Sequence, residues 1–399
     1  MNRRRIAVVG LGVISQAGCN KEEFFENILS GQKHETEFIP ERITQSYCRK
    51  YDMIDRNILQ TLEKERLTKN ERNTLGLCAK LAVLSADEAL KDSGIIIDEI
   101  NAELVSVLIG SAYGENYSYE KFTSSDARVY SNTDISSSVA RHIGAAGEIF
   151  TNINACATGN TSIAYGCELI YNKRADIVVA GASDVYSELL YGGFSRIKVL
   201  SGNVQKPFDV DRDGIILSEG AGTIILEDYD HAVKRGAYIY CEVLGTGMSN
   251  DAYHMVAPDP TAKGAVSAIM NALEDSGCSA GDIDYISLHG TGTQANDICE
   301  SLALKKTFGD YAGRIYASSL KGLLGHSLGT ASMLSSVSCV MSIEKGMIPF
   351  TANTENPISE CPVKLVINES VKKDLNIVMN NAFAFGGSNC IIIFGKCRN

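Results

Sequence analysis

The chain has 399 residues, of which 45% are apolar and 21% charged, the balance of an ordinary soluble globular protein, and this excludes disordered and collagen-like readings. A formal net charge of −11 argues against nucleic acid as the main partner, because phosphate binding needs a basic face. Thirty-six glycines against seven prolines imply many tight turns and close backbone approaches.

Arg3, Arg4 and Arg5 precede an apolar run at residues 6–14, and Ser15-Gln16-Ala17 resembles a signal-peptidase site. Gly10 and Gly12 interrupt that run, so it reads instead as a first strand at 6–9 entering a glycine turn. Residues 31–70 are polar and weakly patterned, which predicts surface excursions. A helix is expected over 75–90, a strand over 104–109, a strand-like run over 149–153, a helix over 158–171 and a strand over 177–180. Further strands follow at 223–226, 238–244, 285–288 and 315–318. The closing runs at 377–379 and 390–394 flank a glycine pair and read as two paired strands. This alternation predicts an α/β protein with mainly buried sheets. A boundary near residue 238 divides it into halves 1–238 and 239–399, packed together without a linker. No apolar stretch reaches the roughly 18 to 20 residues of a membrane span.

Twelve cysteines include no CxxC pair and no zinc-finger spacing, which suits reduced thiols in a cytoplasmic protein. One of them carries a chemical signal. Cys156, in Asn154-Ala155-Cys156-Ala157-Thr158-Gly159, lies where a strand-like run meets a helix. Small neighbours there expose its sulfur, and the helix N-terminus favours thiolate and lowers the thiol pKa. A buried structural cysteine is the alternative. His289 leaves a strand into Gly290-Thr291-Gly292-Thr293, with Asp297 and Glu300 downstream; no second histidine lies at metal-ligand spacing. Lys321 precedes His326 by five residues after another strand. Phe383-Ala384-Phe385-Gly386-Gly387 sits between the last two strands, where two glycines allow close approach to a ligand. One cysteine, two histidines and a glycine loop suit acyl-thioester chemistry. The thiolate accepts an acyl group, and neutral imidazoles stabilise the enolate formed as carbon dioxide leaves. No metal or other cofactor is needed.

In this order the segments resemble the β-ketoacyl-[acyl carrier protein] synthases of the thiolase-like superfamily, of the elongating Cys-His-His type. The likeness runs from residues 6–12 through Gly181-Ala182-Ser183 and Lys206-Pro207-Phe208-Asp209. It continues in Glu219-Gly220-Ala221-Gly222 and Asn250-Asp251-Ala252-Tyr253-His254 to the final glycine loop. It implies a layered αβαβα fold of two similar halves and an acyl-enzyme on Cys156. His289 and His326 would support decarboxylation, and Lys321 would tune the site with Glu300 as its acidic partner. The N–H groups of Cys156 and Phe385 would form an oxyanion hole. Thr291 and Thr293 would contact the pantetheine arm, while Phe383, Ala384, Phe385 and Gly386 would gate the pocket. His254 has a structural place.

Four departures qualify the likeness, one of them Ser218 in place of a common glycine before Glu219-Gly220. Ala384 stands where a glycine is common, so loss of freedom at positive φ is expected to stiffen the gate. Tyr113 replaces a smaller aliphatic residue and is expected to shorten the acyl pocket. The usual signature around residues 35–45 is not recognisable. The reading is a type II polyketide or polyene enzyme, with housekeeping fatty-acid elongation as the alternative. A thiolase would need a second cysteine in its C-terminal loop, and a Rossmann dehydrogenase a third glycine near Ser15. A catalytically silent partner or scaffold subunit is the alternative of another class. The expected partners are an acyl carrier protein, docked on Lys64, Arg66, Lys69 and Arg72, and a second copy or a related chain-length subunit in a dimer.

Overall fold

The computed structural model describes residues 3–33, 50–98, 101–120 and 131–397, so the expectation concerning residues 35–45 lies outside it. Strand β1 (Ile6–Ile14) is buried along its whole length. It does not turn at its glycines. Gly10 and Gly12 face helix α1 (Leu77–Ser93), where a Cβ on Gly12 would lie 1.9 Å from the Ser85 carbonyl oxygen. They let helix and strand approach, and the strand continues with a bulge between Val8 and Gly10.

After β1 and α1 come β2 (Val105–Gly110), α2 (Thr133–Ile143), β3 (Ile149–Phe150), α3 (Thr158–Tyr171), β4 (Ile177–Asp184), α4 (Glu188–Arg196) and β5 (Gly220–Asp228). The second set is β6 (Cys241–Asn250), α5 (Lys263–Ser276), β7 (Tyr285–Ser287), α6 (Gln294–Phe308), β8 (Tyr316–Ser318), α7 (Thr330–Lys345), β9 (Ile377–Phe383) and β10 (Ser388–Gly395). The first strands lie in the order β3-β2-β4-β5-β1 and the second in the order β8-β7-β9-β10-β6. These are the same arrangement twice. In each, the last strand runs antiparallel to both neighbours while the others pair in parallel. The two sets meet where Ile6–Val8 pairs with Cys241–Val243, giving one sheet of eleven strands with Lys364–Leu365 at its far edge.

Helices α3 and α7 lie side by side between the two sets of strands. From Thr330 to Ile343 every residue of α7 is buried, the signature of a helix enclosed on all sides. Ser332 donates to the Gly329 carbonyl and Ser336 to the Asn160 side chain on α3, while the buried hydroxyls of Ser338 and Ser342 have no hydrogen-bond partner. The strand side chains on the other faces pack under α1 and α2 in one half and under α5 and α6 in the other. The result is five layers, αβαβα.

Several expected boundaries shift. The strand expected at 238–244 begins at Cys241 and runs to Asn250, and the run at 149–153 pairs only over Ile149–Phe150. Among the described residues of this segment a helix forms at Arg56–Arg66, burying Leu59 near α1, and another begins at its end over Lys69–Thr74. Short polar helices of this kind carry too few apolar positions for their periodicity to show. Among the described residues no helix is long and apolar enough to cross a membrane.

Candidate active site

The chain passes from β3 into α3 through a tight turn at Ala155–Ala157. Ala155 holds φ 44°, a left-handed conformation that costs a residue with a Cβ about 1–2 kcal/mol. The turn is pinned by Thr158, whose hydroxyl donates to the Ala155 carbonyl at 2.7 Å and accepts from Asn154 N–H at 2.9 Å. Gly159 N–H donates to Gly329 at 3.1 Å, which ties this turn to the start of α7. Any side chain at Gly159 would strike the backbone of Met333 at 2.4 Å. Cys156 is thereby buried at the head of α3.

His326 enters from the other half. Its backbone bridges to the segment before β5: His326 N–H donates to Ile216 at 2.6 Å, and Ser218 N–H donates to the His326 carbonyl at 3.1 Å. Leu328 N–H donates to Nδ1 of His326 at 3.1 Å. That nitrogen is therefore the acceptor, and in the neutral ring Nε2 carries the proton. Burial, helped by the nearby Lys321 charge, holds the His326 pKa well below the usual histidine value. His289 shows the same shift for the same first cause, so both rings are neutral near pH 7. The two rings meet edge to face, 5.7 Å between centroids, and Phe383 packs against His289 at 6.0 Å.

Cys156, His289 and His326 line a single cavity of about 120 Å³, together with Phe194, Thr291, Thr293, Phe383, Ala384 and Phe385. The backbone N–H groups of Phe385 and of Cys156 itself are directed at the thiol. Thr291 and Thr293 share a 2.9 Å hydroxyl contact, and Thr293 caps α6. The fold therefore brings Cys156, His289, His326 and Phe385 to one cavity, while Lys321 and Glu300 lie behind its wall.

Four expectations are changed or refined. First, the thiol pKa is not lowered: burial pushes Cys156 up to about 11, and the Lys321 charge and the two N–H groups only partly offset it. Second, Glu300 acts on Lys321 as the strongest opposing charge, but without a direct ion pair. The ammonium donates to the His289 carbonyl at 2.6 Å, while Glu300 accepts from His289 N–H, Gly290 N–H and the Asn381 amide. Glu300 thus holds the histidine loop, as Asp297 does through Thr291 and Gly292. Third, Ala384 is extended at φ −130°, ψ 155°, where no glycine is needed; the left-handed residues are Gly386 and Gly387. Fourth, Tyr113 is half-exposed and outside this cavity, with its backbone held by Asp184 and its hydroxyl within electrostatic reach of Cys156. Arg72 is turned onto the carbonyls of Glu63, Lys64 and Leu67, and Arg66 is partly buried; Lys64 and Lys69 are exposed.

Two positions were missed. Phe194 on α4 stacks on Phe385, 5.7 Å between centroids and 19° between planes. Asp184, buried at the end of β4, accepts from Ser111, Ala112, Tyr113 and Thr330, joining the floor of the site to α7. Its only sequence signal was its place after Gly181-Ala182-Ser183.

Residues 3–232 match the family model of the β-ketoacyl synthase N-terminal domain, and residues 240–355 that of the C-terminal domain. The chain belongs to the β-ketoacyl synthase family. It is 34% identical to 3-oxoacyl-[acyl-carrier-protein] synthase 2 of Coxiella burnetii, over 99% of both chains. Among solved structures, the ishigamide ketosynthase/chain length factor matches with a TM-score of 0.92 and 32% identity over 100% of both chains. A type II polyketide acyl-carrier protein in complex with its ketosynthase bound to the hexaketide matches at 0.90, with 27% identity over 100% of both chains. The five layers are thus the thiolase-like fold. This β-ketoacyl synthase is an acyltransferase of chain elongation in fatty-acid or polyketide synthesis.

Proposed function

We propose that Cys156 carries the growing acyl group and that His289 and His326 drive decarboxylation of a malonyl group held on an acyl carrier protein. In the first half-reaction the Cys156 sulfur attacks the acyl thioester carbon, and the N–H groups of Cys156 and Phe385 receive the oxyanion. The carrier leaves as a free thiol with the proton that Cys156 gives up, so no net proton is exchanged. In the second, the malonyl thioester oxygen accepts hydrogen bonds from Nε2–H of His326 and from His289. The bond to the carboxylate breaks, carbon dioxide leaves, and its electron pair forms an enolate whose carbon attacks the acyl-Cys156 carbon. Collapse expels the Cys156 thiolate, which takes one proton from solvent.

The observation that carries this reading is the Leu328 N–H bond to His326 Nδ1 in the cavity shared with Cys156, because it commits the other nitrogen to donation. Lys321 contributes its charge and its hold on the His289 carbonyl, and Glu300 and Asp297 shape the loop. Thr291 and Thr293 receive the pantetheine arm, and Phe383, Ala384, Phe385 and Gly386 form the gate. The reaction needs no metal or other cofactor, since the sulfur and the neutral imidazoles supply each step.

A dimer with a second copy or a related chain-length subunit is favoured by the open edge of β3. Ile149 and Phe150 are exposed there, with Ile153, Tyr165 and Met248 near them, and such an edge is a template for pairing. The halves 1–238 and 239–399 are proposed as the two units of each chain. Carrier docking involves Lys64 and Lys69 rather than all four basic residues. A type II polyketide or polyene role is supported by the full-length likeness to the ishigamide ketosynthase/chain length factor; the Coxiella burnetii relative favours fatty-acid elongation. Assay of the purified chain, alone and with candidate partner chains, against acyl- and malonyl-carriers of graded length tests both. Absence of an acyl adduct on Cys156 under every condition contradicts the catalytic reading and favours a silent subunit.

A further inference from the structure

The cavity around Cys156 is about 120 Å³, whereas pockets that hold drug-sized ligands run roughly 300–1,000 Å³. A long acyl chain requires one of its walls to move, whereas an acetyl group does not. On one side the wall is the stack of Phe194 on Phe385, continued by Val199 and Ile215. Phe385 belongs to a loop with two glycines at positive φ, so its side of the stack has its own freedom. Phe194 rides on helix α4, and that helix has two unlike ends.

The N-terminal end is over-fixed. Ser187 caps it, accepting from Leu190 N–H at 3.1 Å. In addition the Glu120 carboxylate accepts from the Ser187 hydroxyl, Glu188 N–H and Leu189 N–H at 2.6, 2.7 and 2.9 Å. A residue remote in sequence thus clamps the first turn, and Leu190 and Tyr191 are buried beneath it.

The other end is weak. Gly192 and Gly193 occupy the middle of a nine-residue helix, immediately before Phe194. Glycine there costs helix stability of about 1 kcal/mol relative to alanine. Space does not demand it at Gly193, which is exposed and whose added Cβ would meet no atom within 4 Å. Nor does conformation, because its φ lies outside the left-handed range. The glycine therefore supplies only pliability.

We infer that Gly193 is a hinge in α4, between the end clamped by Glu120 and the end bearing Phe194, and that bending there lets Phe194 withdraw with Phe385 so that longer acyl chains enter. Gly193 and Glu120 are positioning residues: neither touches the reacting atoms. The inference rests on the reading that Cys156 is acylated and Phe385 gates its pocket.

The experiment is single-turnover acylation of the full chain by acetyl-carrier and by dodecanoyl-carrier, followed by intact mass on Cys156. In Gly193→Ala the dodecanoyl rate falls about fivefold, the Boltzmann equivalent of the roughly 1 kcal/mol helix preference of alanine at 25 °C. The acetyl rate is unchanged and Tm rises. Adding Phe194→Ala restores the dodecanoyl rate, because a truncated wall has nothing to withdraw. Equal dodecanoyl rates for wild type and Gly193→Ala overturn the hinge, and so does an equal loss with both chain lengths. Should Gly193→Ala fold poorly, hydrogen exchange in the wild type decides. The hinge predicts faster exchange at 194–197 than at 189–191, increasing on dodecanoylation, and uniform protection overturns it. If wild type gains no mass on Cys156 from either carrier, the catalytic reading has failed instead.

Discussion

The two halves repeat one scaffold and place different chemistry at the same point of it. In the first, the segment after β3 turns into α3 and presents Cys156; in the second, the segment after β8 turns into α7 and presents His326. Both turns contain a residue with a side chain at positive φ, Ala155 at 44° and Leu328 at 53°. The strain is held by packing of α3 on α7 at Gly159 and Gly329, where the two turns touch. Duplication thus supplies two helix heads side by side. What differs is the side chain placed there: a sulfur that burial keeps protonated, and an imidazole that burial keeps neutral.

That contrast can be broken one half at a time. Cys156→Ala removes the acyl acceptor, and condensation falls by more than about 10³-fold, measured as product per enzyme with saturating carriers. His326→Ala leaves acylation of Cys156 intact and lowers malonyl decarboxylation by roughly 10²–10³-fold, the usual loss for one preorganised donor to a developing oxyanion. Lys321 sharpens the comparison because its charge acts on both halves. Burial lowers its pKa to about 8. Below that pH the ammonium is charged, restrains the Cys156 thiol pKa and keeps the histidines unprotonated. As pH rises through about 8 the charge is lost and condensation declines. Lys321→Met gives a slower enzyme whose pH profile lacks this alkaline limb. The smallest effect is at the seam, where Arg5 in the first half grips Glu242 in the second with two bonds of 2.6 Å. Arg5→Met costs about 0.5–1 kcal/mol in thermal unfolding, because the guanidinium is partly exposed, and leaves both half-reactions unchanged.

The order of elements and the location of Cys156, His289 and His326 were legible because each stands where a buried apolar run ends in small residues. The duplication was not, since it lies in strand order, which the sequence does not display. The thiol pKa was misread for a related reason. A helix N-terminus is visible in a sequence, whereas the burial that outweighs it is a product of packing by α7, almost two hundred residues away. Glu300 supports the Lys321 charge as the resemblance implies, but its hydrogen bonds go to the amides of His289 and Gly290, backbone partners that no side-chain pattern announces.

The most direct measurement is a pulse and chase on His326→Ala: load with acyl-carrier, identify the modified peptide by mass spectrometry, then add malonyl-carrier. The account predicts an acyl group on Cys156 that persists through the chase in the variant and is consumed in the wild type. An acyl group on another residue, or consumption at the wild-type rate without His326, would contradict it.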